Sequence, residues 1–309
     1  MQSIGIQANS LVDVQMPAPS ILDLLRSDES LKTATGIETI NLFRGILECC
    51  RRKQKDRQSD LERNLVLTLM KLKHALSFKL LAMLFSVSVA TAASAFKDTI
   101  TLLGIVLKSA LTWPSVEEVR QNMPRCFAKF QKTRVVLDCT EVSVENSRCA
   151  KCRNQTYSHY KGTNTLKVLI GVSPGGLITH VSVPWAGRSS DKVIFEQSRI
   201  VECLEPYVDA VMVDKGFHIE QELESHGIEM YRPPFLRNKS KFSRHEAELT
   251  AEIAAARVHV ERVIGRMKNF MILNSKLSWR LLPYADAIIY SVCGIINLSR
   301  PILSSDKFL

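Results

Sequence analysis

The chain has 309 residues, 46% apolar and 23% charged, with a mean hydropathy of +0.01, which suits one large or two modest globular domains and excludes a disordered chain. Its 41 Lys and Arg outnumber 31 Asp and Glu, and the formal net charge of +10 points to a polyanionic partner, either nucleic acid or an anionic membrane surface. Eight cysteines are too dilute for a disulfide framework, and the first twenty residues lack the basic start and apolar core of a secretory signal, so reduced thiols and synthesis in the cytosol are expected.

The first thirty or so residues are polar and turn-rich, and predict a flexible arm over 1–57 that ends in Arg51-Arg52-Lys53-Gln54-Lys55-Asp56-Arg57. Such a run is either a solvated face or linker, or a nuclear-import or phosphate-contacting patch. Residues 58–130 read as helical: LERNLVLTLMKLKHA follows Asp60, a natural N-cap, then LSFKLLAMLF, a break at Ser86-Val87-Ser88, and VATAASAFKDTITLLG. A short helix, a tight turn and a second helix from Ser88 make a helix-turn-helix pattern, the kind that inserts its second helix in the major groove. The face from Val89 to Phe96 is Ala, Val, Ser and Thr, followed by Lys97, and is short of the Arg, Asn, Gln and Lys that read bases. The uncharged run from Leu80 to Phe96 falls short of the ~20 residues a membrane span needs. It and the run from Ala287 to Ser299 are read as buried helices, with no membrane association expected.

Ser115 then caps a helix with Glu117 and Glu118 in its first turn, and beyond residue 130 the pattern changes class. Strands are predicted at 134–140, 165–172, 177–185, 210–214 and 228–231, with Pro174-Gly175-Gly176 turning the second into the third. Helices are predicted at 190–199, 219–225, 244–270 and 282–298. The result is an α/β domain over 131–303 with a mixed five-stranded sheet and a tail at 304–309, preceded by a small all-helical domain.

Two acids sit where a strand should be apolar. Asp138 interrupts Val135-Val136-Leu137-Asp138-Cys139, and Asp214 ends Val211-Met212-Val213-Asp214. Each alone reads as a strand-end residue capping a turn, and Glu261 alone reads as an i,i+4 partner of Arg257. Together, two strand aspartates and a helix glutamate can hold two divalent cations about 4 Å apart for phosphoryl transfer. The acid-free stretches 230–244 (Arg232, Arg237, Lys239, Lys241, Arg244) and 262–285 (Arg262, Arg266, Lys268, Lys276, Arg280) fit a polyphosphate track.

The segments LDCTE (137–141), YSHYKGTNTLKVLIGVSPGG (157–176), WAGRSSDK (185–192), VMVDKGF (211–217), RPPF (232–235) and ARVHVERVIGRMK (256–268) resemble the DDE endonuclease domain of PIF/Harbinger-type transposases. The likeness runs from about residue 60 to 300 and is greatest to the animal subgroup in which a THAP zinc finger and a helix-turn-helix precede the nuclease. It implies an RNase H-like fold with Asp138, Asp214 and Glu261 as the catalytic, metal-ligating triad for Mg²⁺ or Mn²⁺. It further implies cleavage of DNA at transposon ends, attack of the freed 3′-OH on target DNA, a nuclear location and a homodimer or larger assembly. The other reading is a transposase-derived nuclear factor that binds DNA or protein without cutting.

Asp191 and Glu141 match family positions as auxiliary acids, or serve as a helix-start acid and as a partner for a nearby Lys or Arg. The DNA contacts implied are Lys161, Lys167, Arg188, Lys215, Arg257, Arg262, Arg266 and Lys268. His259 reads as a packed core residue or a DNA contact, and Cys149 and Cys152, with His159 nearby, as free thiols before a zinc site. No THAP-type finger precedes the helix-turn-helix, its second helix is poor in base readers, and Ala251 stands where the family tends to have Arg. These departures point to a copy that is truncated, host-adopted or dependent on a separate DNA-binding partner protein.

Overall fold

The computed structural model describes residues 20–54, 60–236 and 243–301. The arm through residue 19, Lys55 and Arg57 of the basic run, Arg237, Lys239 and Lys241, and the predicted tail lie outside the described residues.

Helices come first. In α1 (Asp28–Thr35) the Ser27 hydroxyl accepts the Ser30 N–H at 3.1 Å, and in α2 (Ile40–Lys53) Thr39 accepts that of Leu42 at 3.2 Å. Leu31, Phe43, Ile46, Leu47 and Cys50 are buried from these two helices. The flexible arm predicted through residue 57 is therefore corrected over 28–53, where a polar composition concealed a one-sided apolar stripe at helical spacing.

The predicted helix-turn-helix is present as α3 (Leu61–His74), α4 (Phe78–Leu84) and α5 (Val89–Lys108). Ser77 and Ser88 cap the last two, accepting from the N–H groups of Leu80 and Thr91. Asp60 does stand at the head of α3, but its carboxylate turns to Arg63 at 2.8 Å instead of capping. Along α5, Ala92, Phe96, Ile100, Leu103 and Leu107 form a buried stripe, while Val89, Ser94, Lys97 and Ile105 face out. The short α6 (Val116–Gln121) has the predicted cap, a reciprocal Ser115–Glu118 box.

The sheet begins at β1 (Thr133–Ser143). After α7 (Ala150–Thr156) come β2 (Tyr157–Ser158), β3 (Thr163–Val172), β4 (Ile178–Val181) and β5 (Trp185–Ala186). The third predicted strand is thus two pieces, because Pro184 has no N–H to give the ladder and the Ser182 hydroxyl takes the Leu169 N–H at 3.0 Å instead. Then follow α8 (Asp191–Ser198), β6 (Ala210–Met212), α9 (Glu220–Ser225) and β7 (Glu229–Tyr231). The order across the sheet is β2-β3-β1-β6-β7, with β4 and β5 lying along β3 beside β2. β1 pairs antiparallel with β3, Asp138 opposite Ile170, and parallel with β6, Val136 opposite Met212; β6 and β7 are parallel. Three antiparallel positions followed by two parallel to the first make the RNase H-like order that the family resemblance implies.

Strand periodicity then sorts β1 into two faces. Val136 and Val142 pack with Ala256, Val260 and Val263 of α10 (Arg244–Lys268), whereas Val135 and Leu137 pack with Ile194 and Phe195 of α8. After α11 (Met271–Asn274) the chain closes with α12 (Ala285–Leu298). Val89–Lys108 and Trp279–Leu298 are each long and apolar enough to cross a membrane; here they cross each other. A Cβ built on Gly104 would lie 2.7 Å from the Ala287 backbone, and one on Gly294 would lie 2.5 Å from the Leu107 carbonyl oxygen. Through this crossing a single apolar core runs from α2 and α5 to the α10 face of the sheet.

Candidate active site

Because Asp138 shares the parity of Val136 and Val142, it faces α10 from the middle of β1, between two apolar positions of the core. It opens into a groove of about 840 Å³ whose walls include Asp138, Glu141, Asp191, Asp214, Arg257 and Glu261. Burial pushes the Asp138 carboxyl up to about 6, and the Asp214 and Asp191 charges add to the rise; Arg257 and the Cys139 N–H oppose it. Two residues past β6, Asp214 is half exposed, and its Oδ1 accepts from the Lys215 N–H at 2.7 Å and from Arg257 Nη1 at 2.9 Å. Arg257, buried on α10, therefore serves Asp214 and not Glu261, against the i,i+4 pairing its spacing alone suggests. Glu261 is exposed one turn further along the helix.

Glu141 has the opposite parity and holds neighbouring segments. Its carboxylate accepts from Ser158 Oγ at 3.1 Å and Thr165 Oγ1 at 2.6 Å, with Lys167 Nζ at 3.9 Å, and its backbone oxygen accepts from Lys268 Nζ at 2.5 Å. Lys167 also pairs with Asp191 at 3.1 Å, while Ser190 is the cap of α8 and Asp191 its first residue. Burial pulls Lys268 down to about 8.

Four of the eight basic candidates line the groove: Lys161, Lys167, Arg257 and Lys268. The other four stand outside it. Arg188 is bound to Asn154 and the Gln155 carbonyl, Arg266 donates to the Arg300 carbonyl, Arg262 is exposed, and the Lys215 ammonium lies over the Phe235 ring. His259 is buried, stacked on Phe127 with Nε2 3.1 Å from Cys126 Sγ, as a core histidine. Cys149 caps α7, His159 packs edge-on against Tyr157, and among the described residues no three His, Cys, Asp or Glu side chains converge closely enough to hold a metal ion.

A family model described as "DDE superfamily endonuclease" matches residues 137–297, more than half of the chain. The chain belongs to the DDE superfamily endonucleases. A second, "Helix-turn-helix of DDE superfamily endonuclease", matches residues 60–109, the span of α3 to α5. No curated protein and no solved structure matches the chain.

DDE endonucleases use divalent metal ions, and the donor chemistry here suits one. Hard carboxylate oxygens line one groove, and a desolvated Asp138 whose proton affinity is raised is short of positive charge. In this arrangement the charge comes from the Arg257 guanidinium, while the three acids stand apart. Sequence reading passed over Tyr160 and Asn274, which line the same groove. The signal for Tyr160 was an aromatic beside Lys-Gly in a turn; Asn274 had none, since only the fold of α11 brings it there.

The DDE domain should carry a measurable trace of the strained carboxylate. Above pH about 6 the folded chain holds Asp138 charged and poorly solvated, whereas the unfolded chain does so freely. The folded state binds the extra proton between pH about 4 and 6, so stability falls as pH rises through that window, by up to about 3 kcal/mol. In EDTA, Asp138→Asn is expected to melt higher than the parent at pH 7.5 and equally near pH 4. The same difference at both pH values would refute the assignment.

Proposed function

We propose that this DDE endonuclease is a DNA transposase of the PIF/Harbinger type, with Asp138, Asp214 and Glu261 holding Mg²⁺ or Mn²⁺. The observation that carries the reading is one groove, along the second half of β1 and against α10, that contains all three acids together with Lys161, Lys167, Arg257 and Lys268. Bound metal would lower the pKa of the attacking water or 3′-OH and neutralise the leaving oxygen. The chain's own part is to position: Asp138 from a buried strand, Asp214 from the adjacent parallel strand, Glu261 from a helix seated on the same sheet face. Lys161 at the rim supplies positive charge to the phosphate backbone. Strand transfer, a homodimer on paired transposon ends, a separate targeting protein and a nuclear location belong to the same reading, supported by the net charge of +10 and the base-poor outer face of α5.

One observation favours the alternative, a transposase-derived factor that binds DNA without cutting: Arg257 is paired to Asp214 and the acids are not gathered. Incubating the chain with supercoiled plasmid in Mg²⁺, Mn²⁺ or EDTA separates the two. Nicking that requires metal supports the transposase, and binding with no nicking in either metal supports the alternative.

A further inference from the structure

The turn joining β2 to β3 leaves Tyr160 84% exposed on the wall of the acidic groove. Lys161 Nζ stands 4.7 Å from the centre of its ring, so an aromatic face and a cation are offered together. The turn is tied down. Gly162 N–H donates to the Ser158 carbonyl at 2.9 Å, Lys161 N–H donates to Ser158 Oγ at 3.2 Å, and Ser158 Oγ donates to Glu141 Oε1 at 3.1 Å. Glu141, its side chain 6% exposed, lies on the strand that carries Asp138, three residues further on. A buried carboxylate thereby fixes the exposed ring relative to the acids.

An exposed aromatic beside a cation, at the edge of a groove that also carries Lys167, Arg257 and Lys268, has the chemistry of a stacking platform for a nucleobase. A paired duplex hides its base faces, so the ligand is a base that is single-stranded or turned out of the helix. We propose that the turn from Tyr157 to Gly162 is a nucleobase subsite: Tyr160 stacks on an unpaired base of the strand in the groove, Lys161 meets the flanking phosphate, and Glu141 with Ser158 positions the turn. The subsite rests on the DNA-cutting reading of the groove.

The test is equilibrium binding of the full chain, in EDTA, to a 20-nucleotide single strand containing one 2-aminopurine and to the same sequence as a blunt duplex. Tyr160→Ala is expected to weaken single-strand binding about 5- to 150-fold and to abolish quenching of the probe, since each stacked base contributes about 1–3 kcal/mol. Tyr160→Trp should keep both, and Lys161→Ala should lower the salt slope by about one ion. Ser158→Ala, which removes the tether but leaves Glu141 its contacts with Thr165 and Lys167, should weaken quenching while duplex affinity stays unchanged. Wild-type affinity and quenching in Tyr160→Ala overturn the subsite, and so does a Tyr160→Ala variant altered only in oligomeric state, which would make the turn a self-association surface. The plasmid assay reports separately on the cutting reading: nicking with no stacking removes the subsite alone, and a chain that binds neither DNA removes both.

Discussion

Asp138→Asn, Asp214→Asn and Glu261→Gln are each expected to reduce metal-dependent nicking of supercoiled plasmid by about 1,000-fold or more, because a lost metal ligand forfeits several kcal/mol of transition-state stabilisation. The three changes differ in what else they do. Glu261 is exposed, so its amide should leave the melting temperature in EDTA nearly unchanged; Asp214→Asn takes the charged partner from the buried Arg257 and should lower it, whereas the amide at the buried Asp138 should raise it. Calorimetry with Mn²⁺ should show weakened binding in all three. Retained nicking in Glu261→Gln would remove that residue from the triad and turn attention to Asp191, which lines the same groove and whose charge helps raise the Asp138 pKa.

The second large effect is structural. Gly294→Leu is expected to destabilise the chain by about 3 kcal/mol or more, since any Cβ there meets the Leu107 carbonyl oxygen at 2.5 Å and backbone cannot step aside as a side chain would. At roughly 2–4 °C per kcal/mol, this is a loss of about 6–12 °C in melting temperature. Ile105→Ser, on the same crossing helix but 58% exposed, is the control and should shift stability by no more than about 0.5 kcal/mol. Equal melting of Gly294→Leu and the parent would mean that α5 and α12 do not approach as closely as described.

The long periodic elements were legible in the sequence, and so was the chemistry of the acids. Ser115 reads as a cap and is one, because a hydroxyl beside the first turn satisfies an N–H that nothing else can; Asp60, read by the same rule, turns to Arg63 instead. The helices over 28–53 were less visible, since their value lies in a surface contributed by α3 and α5. Spacing also misassigned Arg257. A helix wheel knows only its own neighbours, and Asp214 is 43 residues away, brought in by a parallel strand pairing. The break in the third strand turned on one proline and one serine hydroxyl, a local event inside a run whose composition is that of a strand throughout.

The glycine crossing of α5 and α12 has a consequence for scale. Most helix-turn-helix modules ride on linkers, and the span between what they grip and what is cut varies with the tether. Here α5 is pressed backbone to backbone on a helix whose other side belongs to the sheet that carries Asp138. The molecule is built as a caliper with its jaws at one setting. Were DNA gripped along α5, it would meet the groove at a constant offset in base pairs, one that only a change in that crossing could reset.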